Sequence, residues 1–203
     1  PLLHELGTTH LGLEICSDQQ GKIDKFLKTG KGLDNIRLHL QIDYSEYRNL
    51  LKTIRSLDQR KRPTIVALDL PESMYQGKIN RDEWMARSIA KIFHQNSNAK
   101  VLVVVGNLHV LKKVDWEDTV PNPHGSIHPY LNVLAPHRRI FSIGQCIDES
   151  PKECEFTREF SHLEGAVVMD CDRKFSGCNI GIMAPVAAKP IEVREMLDGV
   201  IVY

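Results

Sequence analysis

Residues 64–105 carry the pattern that decides the fold. Thr64-Ile65-Val66-Ala67-Leu68-Asp69-Leu70 is a short apolar run. A stretch from Arg81 to Phe93 follows, with Met85, Ile89, Ile92 and Phe93 at helical spacing. Then comes a second apolar run, Lys100-Val101-Leu102-Val103-Val104-Val105. The two runs lack the alternation of a half-exposed strand, so they read as strands buried on both faces, as in a parallel sheet. A strand, a helix and a strand in that order make a βαβ unit.

The same rhythm extends in both directions. Further strands are expected at 11–16, 139–143, 166–171 and 200–203. Further helices are expected at 19–28, 44–57, 127–134 and 191–197. In the 44–57 segment, Tyr47, Leu50, Leu51, Ile54 and Leu57 share one face. Asp43 is placed to cap that helix, with Glu46 completing a capping box. Asn80 is the expected N-cap of the 81–93 helix, with Glu83 three residues on. The expectation is therefore α/β: a single domain over 1–203 with a central, mainly parallel sheet flanked by helices.

Composition narrows the function. Lys plus Arg total 26 and Asp plus Glu total 26, a net charge of zero. A nucleic-acid partner would need a basic surface, so none is expected. The longest apolar stretch near the middle, Val101 to Val105, is far short of the ~20 residues of a membrane span. The five cysteines include no C-x-x-C pair. Cys16 and Cys171 read as small buried hydrophobes, and bridges between Cys146 and Cys154 or Cys171 and Cys178 are not expected. The chain starts with Pro1, so a signal or lipid anchor upstream is left open. The compartment is unassigned, cytoplasmic by default.

In open α/β sheets, ligands bind beyond the carboxyl ends of the strands. Those ends supply Glu14, Asp69 and, three residues past Gly106, His109. Two acids and a histidine at one edge are materials for acid–base work or metal binding. Glu14 interrupts an apolar run, where a carboxylate needs a partner. Arg81 stands in the first turn of its helix, where the macrodipole disfavours a cation, and it shares the face of Met85 and Ile89. It either clamps a carboxylate or meets an anionic ligand. His124 and His128 are four apart, but Pro123, Gly125 and Pro129 break the helix that would make them a metal pair. His137 and Tyr130 are weaker candidates for a haem or metal site.

Together, Arg81-Asp82-Glu83-Trp84-Met85-Ala86 and Gly106-Asn107-Leu108-His109-Val110 resemble one superfamily. It holds the erythromycin esterases, the ChaN-like haem-binding proteins, the TraB proteins and the Tiki proteases. Its R-D-x-x-M-A helix and G-x-x-H strand end match here, from the start of the chain to about residue 115. The resemblance implies a pocket lined by Glu, Arg and His. In that reading Glu14, Arg81 and His109 are catalytic, with His109 as base or metal ligand, while Asp69, Asn107 and Asp82 bind substrate. It implies a small-molecule substrate or ligand and either a divalent metal or haem as cofactor, and it leaves room for a homodimer. A hydrolase-like role is favoured, with haem binding or an inactive scaffold as alternatives. The family usually opens with a strand ending G-E-x-H, and nothing before Glu14 matches it. An N-terminal strand is therefore expected to be missing, leaving the 11–16 strand with an open edge.

Overall fold

A computed structural model describes residues 2–112, 126–145, 167–170 and 193–202. The chain divides into two compact units, Pro1–Val105 and Gly106–Tyr203. In the first, the order is α1 (Leu2–Glu5), β1 (His10–Cys16), α2 (Gln20–Thr29), α3 (Ser45–Ser56), β2 (Thr64–Asp69), α4 (Arg81–Gln95) and β3 (Val101–Val104). The strands form a parallel sheet in the order β2-β1-β3. Each segment expected to be a strand or helix in this unit is one, to within two residues at each end.

β1 is the central strand, which corrects the expectation of an open edge there. Its neighbours are β2, with His10 opposite Thr64, and β3, with His10 opposite Val101. Both of its backbone rows are paired, and among the described residues the sheet's edges fall on β2 and β3. Leu11, Gly12 and Leu13 are buried in succession, so both faces of β1 are covered. Leu11, Leu13 and Ile15 join Ile23 and Phe26 of α2, Tyr47, Leu51 and Ile54 of α3, and Ile65 and Ala67 of β2 in one core cluster.

Local signals account for most helix ends. The Asn80 side chain accepts a hydrogen bond from the Glu83 amide at 3.0 Å, the cap that starts α4. α2 stops at Gly30, whose φ of 75° an L-residue adopts only with strain. The Asp43 cap does not form. Tyr44 occupies the N-cap of α3 without a side-chain cap bond. Arg48 takes Asp43 instead, at 2.6 and 2.9 Å: a charged fork competes better for the carboxylate than backbone amides do.

The second unit contains α5 (Asn107–Val110), α6 (Ile127–Leu134), β4 (Ile143–Gln145), β5 (Val167–Asp170), α7 (Val193–Met196) and β6 (Gly199–Val202). β6 lies between β4, parallel to it, and β5, antiparallel. The strand expected at 139–143 begins only at Ile143. Ser142 explains the delay: its amide donates to Asp198 Oδ2 at 2.8 Å and its carbonyl accepts from Asp198 and Gly199. Ser142 is thereby drawn into the turn ahead of β6 rather than into the ladder. Cys146, Cys154, Cys171, Cys178 and His124 lie outside the described residues. Among the described residues no helix is long and apolar enough to cross a membrane.

Gly12 supplies a test of the packing. A Cβ there would stand 2.5 Å from Leu68 Cδ1 and 3.4 Å from Val103 Cγ2, with Leu68 itself fully buried. Gly12→Ala should lower unfolding free energy by about 1–3 kcal/mol through overpacking, measured by urea denaturation. An unchanged midpoint would show that Leu68 yields freely.

Candidate functional site

The site grows out of an irregularity in the sheet. Leu13 pairs with Ala67 but Cys16 pairs with Asp69, so Glu14 and Ile15 together face the single residue Leu68. This extra residue is a bulge, and bulges re-aim side chains where they occur. Glu14, mostly buried at 13% side-chain exposure, meets Arg81 from the start of α4. Arg81 Nη2 lies 2.9 Å from Glu14 Oε1 and 2.5 Å from Asp69 Oδ2, and its Nε donates to Asp69 Oδ1 at 3.0 Å. The Arg81–Asp69 contact is therefore a bidentate fork. Asp69, at the last position of β2, is fully buried. Its Oδ1 also accepts from the Leu70 amide at 2.8 Å.

Two groups that periodicity did not single out complete the cluster. Chain leaving β2 makes a 3-10 turn at Glu72–Met74 and delivers Tyr75, whose hydroxyl donates to Asp69 Oδ2. His39, from the irregular stretch before α3, hydrogen-bonds through Nε2 to the same hydroxyl. Because that hydroxyl already donates to Asp69, it accepts from His39, which fixes the proton on Nε2. The His39 imidazole remains one-third exposed, and Cys16 Sγ reaches the Tyr75 hydroxyl at 3.8 Å. Arg81 also sits over the Tyr75 ring, 5.3 Å from its centre. Neither Tyr75 nor His39 lies in a strand or a long helix, so no hydrophobic period could have marked them.

Electrostatics follow from this packing. Burial pushes the Tyr75 phenol well above its ordinary value of 10.0, and the hydrogen bond and charge of Asp69 push it further. Burial, then the negative charge of Glu14, raises the Tyr47 phenol as well. Desolvation works to lower the Arg81 pKa, but Asp69, by hydrogen bond and charge, outweighs it and holds the guanidinium above its usual value. The Cys16 thiol is pushed up by burial, against a weaker opposing effect of the Tyr75 bond, so it is a poor thiolate source at neutral pH.

Glu14, Asp69 and Arg81 are thus brought together, whereas Asp69 holds Arg81 rather than facing solvent. Asp82, next on α4, is buried. Asn107 and His109 belong to the second unit, where Asn107 opens α5 after Gly106 and the His109 amide donates to the Gly106 carbonyl at 3.0 Å. His128 lies within α6 and bonds Asn132 at 3.1 Å; burial lowers its pKa. His137 is exposed and Tyr130 is half-buried. Among the described residues no group of three or more His, Cys, Asp or Glu side chains is arranged to hold a metal ion.

Comparison with solved structures finds similarity to a mutant of the erythromycin esterase EreC in its open conformation. The TM-score is 0.67 at 10% identity, over 99% of this chain and 84% of that one. The chain therefore has an erythromycin-esterase-like fold. No protein-family model matches it. No curated protein matches it either.

Two outcomes are expected from this geometry. Among the described residues, Arg81→Met leaves the buried Asp69 carboxylate with the Tyr75 hydroxyl and the Leu70 amide as its hydrogen-bond donors. Loss of one partner of a buried pair costs about 3–5 kcal/mol, and the two remaining donors favour the lower end. Adding Asp69→Asn should recover part of that loss in a double-mutant cycle read by urea unfolding. The tyrosines set the alkaline limit. Their phenols ionise more readily in the unfolded chain, so their contribution is complete below pH 10 and declines as pH rises above it. The melting temperature should fall across that range, with a shallower slope in Tyr75→Phe; equal slopes would refute the assignment.

Proposed function

We propose that this protein is a hydrolase of erythromycin-esterase-like layout, acting on the acyl group of a small ester or lactone. One observation carries the reading: a guanidinium at the carboxyl ends of β1 and β2 bridges a mostly buried Glu14 and a fully buried Asp69. Such ends are where open α/β sheets place their ligands. Asp69 and Tyr75 anchor Arg81 and fix its plane. Among the described residues Arg81 Nη1 has no hydrogen-bond partner, and we assign it to the oxyanion that forms when water attacks the carbonyl carbon. Glu14 orients the attacking water. The family resemblance, through the Gly106-x-x-His109 motif, assigns His109 the part of general base, which takes the water proton and returns it to the leaving alcohol as the carbon–oxygen bond breaks. Asn107 and Asp82 are assigned to substrate positioning on the strength of the same resemblance. Were a divalent metal to take part, His109 would be its ligand and the metal would supply Lewis acidity to the water.

The haem-binding alternative is less well supported. A tyrosinate ligand must lose its proton, and the Tyr75 phenol is held protonated by burial and by Asp69.

Hydrolysis of a panel of activated esters and macrocyclic lactones tests the proposal. Glu14→Gln and His109→Asn should each lower kcat by about a hundredfold or more with little change in KM. Turnover retained by both variants would sink the hydrolase reading. A new Soret band on mixing with haem, lost in His109→Asn, would favour the alternative.

A further inference from the structure

A second site is suggested on the opposite edge of the sheet. α2 and α3 each run between loops on either side of β1 and β2. α2 leaves the carboxyl end of β1 and finishes at Gly30, whereas α3 finishes at Ser56, shortly before β2 begins at Thr64. Their C-terminal ends therefore lie toward the amino ends of the strands, away from Glu14 and Asp69. Between them is a cavity of about 450 Å³, lined in part by Phe26, Leu33, Lys52 and Arg55. That volume is in the range of small-ligand sites.

Arg55 is the feature that needs an explanation. Its Nε is sealed from water without a hydrogen-bond partner, and among the described residues no acceptor or carboxylate meets any part of its guanidinium. A buried donor left unmet is costly, while the terminal nitrogens of this half-buried side chain stay open toward the cavity. It lies flat against Gly30: a Cβ there would stand 2.7 Å from both Cζ and Nη2. Only glycine permits this close approach, and φ at Gly30 is in the left-handed region as well. The backbone thus holds the fork in place over the cavity. Lys52, one turn earlier on α3, lines the same space. Phe26 and Leu33 add apolar wall, and Asp34 is the one acid on the lining.

We propose that this cavity binds a small phosphate monoester. The Arg55 fork would grip two phosphate oxygens, and Lys52 would supply the second positive charge for the dianion. Phe26 and Leu33 would take the organic portion, and Asp34 would accept from a ligand hydroxyl. The inference is independent of the hydrolase reading, because it shares no residue with that site.

Inorganic phosphate is the probe. Titrated into the full chain at constant ionic strength, it should shift backbone NMR signals chiefly at 30–34 and 52–55. Arg55→Met should weaken that binding about tenfold or more, as loss of a charge-assisted pair implies. Arg55→Lys keeps the charge and removes the fork, so it should fold and still bind several-fold more weakly. Shifts scattered over all basic residues, or unchanged affinity in Arg55→Lys, would overturn the proposal.

Discussion

The first unit depends on one buried contact, the Arg81 guanidinium held between Glu14 and Asp69. It ties three elements that are far apart in sequence: β1, β2 and α4. A cation in the first turn of a helix works against the helix dipole. Two carboxylates in front of it reverse that sign, and the charges become tolerable only as a set. Asp69, with no exposure, has its oxygens met by the fork, the Tyr75 hydroxyl and the Leu70 amide, as a buried carboxyl group needs. The pairing that makes the sheet's carboxyl edge polar is also what makes it stable.

From that contact outward, the arrangement grades from fixed to open. Asp69 is sealed, Glu14 nearly so, and Arg81 and His39 are each about one-third exposed. A row of groups running from sealed to solvent-facing is what a reaction needs: inner members set orientation and charge, and outer members meet the ligand. His39 brings an imidazole to this edge from an irregular segment, where the family resemblance suggests a G-E-x-H strand.

Much of this was readable in the residues, for a physical reason. β1, β2 and α4 are buried enough that their apolar patterns could hardly mean anything else, β3 shows the same apolar run although it is only half-buried with Val104 exposed, and Asn80 caps α4 through purely local geometry. Glu14 and Arg81 stood out because each broke its local pattern, and the structure pairs them. What stayed hidden depends on competition or on irregular chain. Asp43 was a sound cap by local rules but lost to Arg48. The bulge at Glu14 and Ile15 exists only in relation to β2. Tyr75 and His39 come from segments with no period to read.

The pairing order of β1 bears on how the chain acquires its shape. The first strand in sequence is the middle strand in space, and its partners begin more than fifty residues later, at Thr64 and Val101. Neither pairing can be made by a local hairpin, so each requires closing a long loop before any ladder bond is gained. On a ribosome, β1 would emerge with one or both backbone rows unsatisfied until residue 104 had cleared the exit tunnel. The α2–α3 segment could pack against β1 and β2 earlier, giving a half-sheet that waits for its third strand. That interval, rather than any feature of the finished fold, is when this sequence is most exposed to wrong partners.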